Sequence, residues 1–424
     1  MAKRFAEELG VKLHIEITDD FSKIKQLLSQ HQVDIAAAGL VVNDATNLSS
    51  LRFGPSYQKV KFQLIYREGA IPPPTNLAEI GKHKIQVIAN SPHAQFLRQL
   101  QQRVPELSWE EVTRSNTTDL LVRVWGQEIP YTLVTSNEME QMQRFYPELE
   151  SGLELPDSQD LAWMFARSPQ NDDSLYLAAI QFFERLRQTG ELAQLLERYY
   201  GHVDEVVDFD YVNTRVFYRH VRERLPSYRL HFEQIAARHQ IDWKFLAAMA
   251  YEESQWKPEA VSSTGVRGLM QLTLSAAKEV GVQNREDPFE SIEGGAKYFT
   301  NIKKRINANI PEPDRTWFAL AAYNVGLQHL GDAMRITVQQ KDNPHRWVDV
   351  KKYLPQLGAA SCEQLRWGCA RGEEPVNFVK RVRHYYDMLA LFDEEQPVFS
   401  TTDPPSLTSR DFSRRTAKPL SPML

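Results

Sequence analysis

The stretch LAAMAYEESQWKPEAVSSTGVRGLMQL, Leu246 to Leu272, decides how the second half of this chain is read. With Phe245 before it, the segment to Tyr251 is an unbroken apolar and aromatic run. A helix that is apolar on every side must be buried on every side. Glu252 and Glu253 then stand at the C-terminal end of an interior helix. The helix dipole repels a carboxylate there, and desolvation penalises its charge. Both effects raise the pKa, as a general acid near neutral pH requires. Periodicity does not choose between the two glutamates, and both lying exposed just beyond the core is the competing reading. Downstream, Gly265 and Gly268 allow tight turning and close backbone approach to a ligand. Met270 and Gln271 add an apolar surface and an amide, a pairing suited to a sugar. Ala321 to Gly326 closes a second apolar helix on Asn324 and a glycine. That segment reads equally well as an ordinary helix end, with Tyr323 in the core.

Working outward, helical periodicity dominates from about Val203 onward. TRVFYRHVRERL, LHFEQIAARHQ, LSAAKEVGV, SIEGGAKYFTNIKKRI, DRTWFALAAYNVGL and NFVKRVRHYYDMLALF are all helical patterns. Together they predict an all-α domain of roughly 190 residues, enough for its own core. Before it, the chain alternates. KRFAEELG reads as a helix closed by Gly10, VKLHIEIT as a strand, and DDFSKIKQLLSQHQ as a helix opened by an Asp cap. VDIAAAGLVV reads as a fully buried strand, and strand-helix-strand order predicts a parallel α/β sheet. KFQLIYRE, KIQVIANS and PYTLVTS are further strands, and a long helical stretch breaks near Gly190. Beyond Gln396 the chain is rich in Pro, Ser and Thr without periodicity, so 396–424 reads as a disordered tail.

The 424 residues are 42 % hydrophobic and 25 % charged, values of a globular chain of two or three domains. A net charge of -5 without a basic face speaks against nucleic-acid binding. No stretch approaches the roughly 20 apolar residues of a membrane-spanning helix. The N-terminus lacks the pattern of a signal peptide. Cys362 and Cys369, with only His345 and His384 nearby, are too few ligands for zinc. They are either a disulfide, which needs an oxidising compartment, or two unrelated buried residues. No metal-ligand cluster or phosphate-cradling loop is present, so no cofactor is implied.

Glu253-Ser254, then Gly268-Leu269-Met270-Gln271, Ala322-Tyr323-Asn324 and FVKRVRHYY resemble, in order and spacing, the soluble-lytic-transglycosylase-like domain. The resemblance implies a goose-lysozyme-type helical fold acting on peptidoglycan glycan strands. It implies Glu253 as the catalytic acid, with Glu252 a neighbour. Ser262, Gly268, Met270 and Gln271 would form the glycan cleft, shaped further by Tyr323 and Asn324. Tyr385 would bring its hydroxyl to the catalytic carboxylate. Phe378 stands where the family has Tyr, a change that touches packing.

The mechanism so implied uses one carboxylate where most glycosidases use two. The glutamic acid protonates the oxygen between N-acetylmuramic acid and N-acetylglucosamine, and the 2-acetamido group stabilises the cation. The glutamate then takes the C6 hydroxyl proton and a 1,6-anhydro ring closes. A lysozyme-like hydrolase would finish with water instead, and a sensor would bind glycan without cleaving it.

FAEELGVKLHIEIT, VDIAAAGLVV and TGELAQLLERYYG resemble the solute-binding family 3 domain, an α/β periplasmic-binding-protein-like fold. The implied layout is 1–202 solute-binding, 203–395 lytic transglycosylase and 396–424 tail. By position, Thr46 and Thr135 stand where such receptors carry the Arg and Asp that grip an amino acid. The front domain is therefore expected to be regulatory or structural, or to take a different small ligand or peptide. In the family an anchor segment and a first strand precede the helix seen here at AKRFAEELG. The resemblance thus implies a chain start inside a longer protein, or a short variant without that strand. It also implies a periplasmic enzyme peripheral to the outer membrane, where Cys362 and Cys369 could pair.

Overall fold

The computed structural model describes residues 1–394 except 19, 43–49, 71, 73–75, 77–78, 80–83, 114, 144, 169–171, 202–210, 264 and 359–364. They divide into two compact units, Met1–Leu195 and a second from Leu196 onward. Thr46, Cys362 and the tail 396–424 lie outside the described residues. Among the described residues no helix is long and apolar enough to cross a membrane.

The first unit opens with helices α1 (Ala2–Glu8) and α2 (Phe21–Ser29). The Asp20 carboxylate caps α2, accepting from the backbone N–H groups of Ser22 and Lys23. Strands β1 (Ile35–Val41) and β2 (Leu51–Arg67) follow, then β3 (Ile85–Ile88), α3 (Pro92–Gln101) and β4 (Trp109–Val112). Next come α4 (Thr117–Trp125), β5 (Tyr131–Thr135), α5 (Ser136–Gln143), β6 (Leu149–Ala166) and α6 (Ser174–Gln188). Helix α7 (Glu191–Tyr200) begins in this unit and ends in the second.

The six strands form one sheet in the order β1-β6-β2-β5-β3-β4. It is mixed, and this corrects the expectation of a parallel sheet. Only β3 pairs in parallel, with β4 and β5, while β1–β6, β2–β6 and β2–β5 are antiparallel. The decisive pairing is β2 with β6, running from Leu51 opposite Ala166 to Arg67 opposite Leu149. Two further expectations fail. β1 is buried at Ala36, Leu40 and Val41 but exposed at residues 37–39. VKLHIEIT is no strand: it has no ladder partner among the described residues, and Val11, Ile15 and Ile17 are exposed. Alternation selects an extended backbone, but a strand exists only where a neighbour supplies hydrogen bonds.

In the second unit every element of regular structure longer than an isolated bridge is helical among the described residues. The helices are α8 (Tyr211–Glu223), α9 (Arg229–His239), α10 (Trp243–Ser254), α11 (Leu274–Val280) and α12 (Pro288–Arg305). They are followed by α13 (Asp314–Val325), α14 (Leu327–Gln339), the short α15 (Trp347–Val350) and α16 (Glu374–Glu394). The core is built round α10, whose residues Phe245 to Tyr251 are all buried. Helix α13 buries Thr316 to Ala322 in the same way, and α16 packs against both. Burying each Leu, Phe or Met of this run is worth about 1.5–3 kcal/mol, which outweighs the cost of ending the helix on carboxylates.

Candidate active site

Helix α10 starts on Asp242, whose carboxylate accepts from the Lys244 N–H at 2.9 Å. It stops at Gln255 and Trp256, both left-handed with φ of 53° and 57°. Trp256 folds back under the helix and donates its indole N–H to the Ala247 carbonyl at 2.9 Å. The buried Ser254 hydroxyl lies 3.1 Å from the Ala250 carbonyl oxygen and 2.9 Å from that of Leu269. These bonds fix the helix end, and with it Glu253, against the loop that carries residues 260–272.

That loop is held by its own backbone. Gly268 has φ +85°, donates its N–H to Ala260 O at 3.1 Å, and sits where a Cβ would come within 1.7 Å of Arg285 O. Gly268→Ala is therefore expected to cost about 1–3 kcal/mol in left-handed strain alone, visible as a lower melting temperature. An unchanged melt would refute this account. Gln271, at φ 46°, donates its side-chain amide to Ala260 O at 3.0 Å and Gly268 O at 2.8 Å. Its NH₂ group thus braces the loop. Met270 is fully buried, with its N–H donated to Ser291 Oγ at 3.1 Å. The Met270 side chain is consequently core and offers no surface to a ligand. Ser262 accepts the Val266 N–H at 3.3 Å and shapes the same turn.

Tyr323, from α13, donates its hydroxyl to the Met270 carbonyl at 2.8 Å. Burial, then the carboxyl of Glu253, push this phenol well above its ordinary pKa, so the donor stays protonated. Its ring stacks at 6.4 Å on Phe378, so the Phe at that position serves packing. Asn324 is exposed beside it at the helix end. Tyr385, from α16, meets Tyr251 edge-on at 4.6 Å and stacks on Phe217 at 4.9 Å. Ser262, Gly268, Gln271, Tyr323 and Tyr385 thus belong to elements packed round the end of α10.

The two glutamates have opposite surroundings. Burial, aided by the charges of Glu252 and Glu374, holds Glu253 well above the usual carboxylate range against the pull of Arg381. Among the described residues nothing hydrogen-bonds its carboxylate. Glu252 turns to α16 instead, where Arg381 Nε donates to its Oε1 at 2.6 Å. Arg381 also donates from Nη2 to Glu374 Oε1 at 2.7 Å. Arg381 and Glu374 are additions to the residues read from the sequence. The available signal was indirect: a carboxylate at the edge of a core demands a cation, and KRVR in the last helix supplies several.

In the first unit, Thr135 is buried and donates both its N–H, at 2.8 Å, and its hydroxyl, at 2.6 Å, to Glu138. His93 lies 3.1 Å from the same carboxylate oxygen. Burial alone would raise Glu138, but His93 and Thr135 hold it down at about 2. Thr135 is therefore engaged within the protein. Cys369 is disulfide-bonded, and no described cysteine is free. Among the described residues no group of three or more His, Cys, Asp and Glu is placed to hold a metal ion.

Residues 231–345 match the family model described as Transglycosylase SLT domain. Residues 1–202 match Bacterial extracellular solute-binding proteins, family 3. A membrane-bound lytic murein transglycosylase F 1 of Alkalilimnicola ehrlichii is 43 % identical over 93 % of this chain and 79 % of its own length. The chain belongs to the membrane-bound lytic murein transglycosylase F family. Further members are similar to it to nearly the same degree. That of Pseudomonas putida strain GB-1 is 42 % identical, over 93 % of this chain and 81 % of its own. That of Idiomarina loihiensis is 40 % identical, over 93 % and 85 %. The family assignment makes the chain a lytic transglycosylase with a solute-binding-protein-like α/β domain ahead of a helical catalytic domain. The SLT match stops at residue 345, so Arg381 and Tyr385 on α16 lie beyond it but inside the length shared with the whole relatives.

Proposed function

We propose that the enzyme cleaves the β-1,4 bond between N-acetylmuramic acid and N-acetylglucosamine in peptidoglycan, leaves a 1,6-anhydromuramyl end, and serves cell-wall turnover. Glu253 is the single acid and base. It protonates the bridging oxygen and then accepts the C6 hydroxyl proton, so no water is consumed. The observation that supports this most is the contrast within the carboxylate pair. Desolvation and the neighbouring charges of Glu252 and Glu374 hold the half-buried Glu253 well above the usual carboxylate range, whereas Glu252 and Glu374 are both committed to Arg381. One carboxyl held well above its usual range, with the two neighbouring carboxylates both bound to Arg381, suits a reaction that uses the substrate's own acetamido and hydroxyl groups. It suits the two-carboxylate scheme of most glycosidases less well.

The cleft follows from this reading. Tyr323 and Gln271 hold the loop backbone, while Ser262, Asn324 and the Tyr385 hydroxyl face the glycan or the Glu253 carboxyl. Mass spectrometry of the muropeptides released from purified sacculi tests the whole scheme. Anhydromuramyl ends are the expected products; reducing ends would make the enzyme a hydrolase, and no release would make it a glycan-binding protein.

The relatives are named membrane-bound, and the resemblance of both domains to their families is what leads us to assign this enzyme to the periplasmic face of the outer membrane. The front domain is read as regulatory or structural, or as a receptor for a ligand other than a free amino acid. Support comes from Thr135, which offers no negative charge to an ammonium group and whose hydroxyl is already bonded to Glu138. Each missing charge-assisted hydrogen bond forgoes about 1.5–3 kcal/mol. Calorimetric titration with the common amino acids is expected to give no heat of binding at micromolar concentrations. A micromolar complex with any of them would overturn this part.

A further inference from the structure

Adjacent residues of a helix diverge by about 100°, so Glu252 and Glu253 do not look into the same space. Glu252 points to α16, where its side chain and that of Arg381 are 10 % and 18 % exposed. The Arg381 guanidinium bridges Glu252 at 2.6 Å and the more exposed Glu374 at 2.7 Å. This bridge spans 129 residues of sequence and joins the last turn of α10 to α16, the helix that also carries Tyr385. A surface ion pair contributes little, but one this sheltered both costs and gains more, and its geometry is correspondingly fixed.

We propose that Glu252 and Arg381 are positioning residues, a paired clamp that sets the end of α10 against α16 and fixes the charge balance around Glu253. The inference rests on the reading of Glu253 as the acid. The other groups around Glu253 give the clamp its influence. From α16 come Glu374 and Arg381; from α13 comes the neutral Tyr323, bonded to Met270. Helix α9 buries apolar Phe232, Ile235 and Ala236. From α8, His220 lies 3.0 Å from the Tyr251 hydroxyl, with Arg224 behind it. The groups acting on the Glu253 charge are thus two anions and one cation, and the cation is bound to both anions. Removing either half of the pair unbalances the set, in opposite senses.

The general acid must be protonated, so the rate falls as pH rises through the Glu253 titration. Glu252→Gln removes one of the two anions and leaves Arg381 opposed by Glu374 alone, so Glu253 loses its proton earlier. Arg381→Gln removes the cation and leaves Glu252 and Glu374 both uncompensated, so Glu253 keeps it longer. The experiment is the rate of muropeptide release from purified sacculi over about pH 4–9 for each variant, with thermal melts alongside. Expected is an alkaline limb moved down by on the order of one pH unit in Glu252→Gln and up by a similar amount in Arg381→Gln. The double variant should return near the parent. Arg381→Lys, which keeps the charge and loses the fork, should lower the rate with the limb in place, and it serves if Arg381→Gln does not fold.

Limbs that stay put or move in the same direction would overturn the clamp while Glu253→Gln stays inactive. Activity retained in Glu253→Gln would instead remove the acid assignment, and the clamp with it. The two failures are therefore told apart.

Discussion

Glu253→Gln is expected to lower muropeptide release by about 10²–10⁴-fold, the range contributed by a positioned general acid. The amide has the size of the acid but carries no transferable proton, and the neighbouring carboxylates Glu252 and Glu374 are both bound to Arg381. The stability consequence has the opposite sign. Glu253 is raised in the folded state by burial, by Glu252 and by Glu374. Such a group contributes stability below its unfolded pKa, and that contribution is lost as pH rises through the folded value. At neutral pH the acid is therefore a liability to the fold, and glutamine relieves it. The variant should melt no lower than the parent at neutral pH while being inactive. An inactive variant that also melts well below the parent would point to structural damage and leave the catalytic assignment without support.

Glu197→Ala is expected to give the largest loss of stability in the catalytic unit. Arg383 is buried with its guanidinium 4.0 Å over the Trp317 ring. It donates to Glu197 Oε1 at 3.2 Å and to the carbonyls of Glu197 and Arg198 at 2.9 and 3.0 Å. Lys351 closes the other side of the same carboxylate. Truncating Glu197 leaves two cations sharing a sheltered site without an anion, and breaking a buried pair in this way costs about 3–5 kcal/mol. For a unit of this size that corresponds to a melting temperature lower by roughly 10 °C. Glu197→Gln, which keeps a hydrogen-bond acceptor, should lose less. Differential scanning calorimetry reads both, and a fall of only about a degree or two would show that Arg383 is satisfied by the carbonyls alone.

The helical half was legible because its signals are local. A run such as Phe245 to Tyr251 must be buried wherever it stands in a chain, and it lies at the centre of α10 with all seven residues buried. The front half was less so. Strand β6 carries Gly152, Pro156 and Asp157, which locally read as breakers, yet it runs for 18 residues because β2 pairs with it along its length. VKLHIEIT shows the converse, perfect alternation without a partner and so no strand. Sheet membership is a property of two segments, and one segment cannot declare it.

The site divides along the same line. The sequence by itself determined that a buried helix ends on two carboxylates beside a glycine-turned loop, because burial and turning follow from residue type and spacing. Local pattern left the choice between the carboxylates open. The tertiary structure separates their surroundings, since Arg381 reaches Glu252 across 129 residues and leaves Glu253 without a hydrogen-bond partner among the described residues. It also moved Met270 from the cleft into the core and turned the Gln271 amide inward. The physical reason is common to all three. Charge pairing and the direction of a side chain depend on what the fold brings opposite it, and that is not written in its neighbours along the chain.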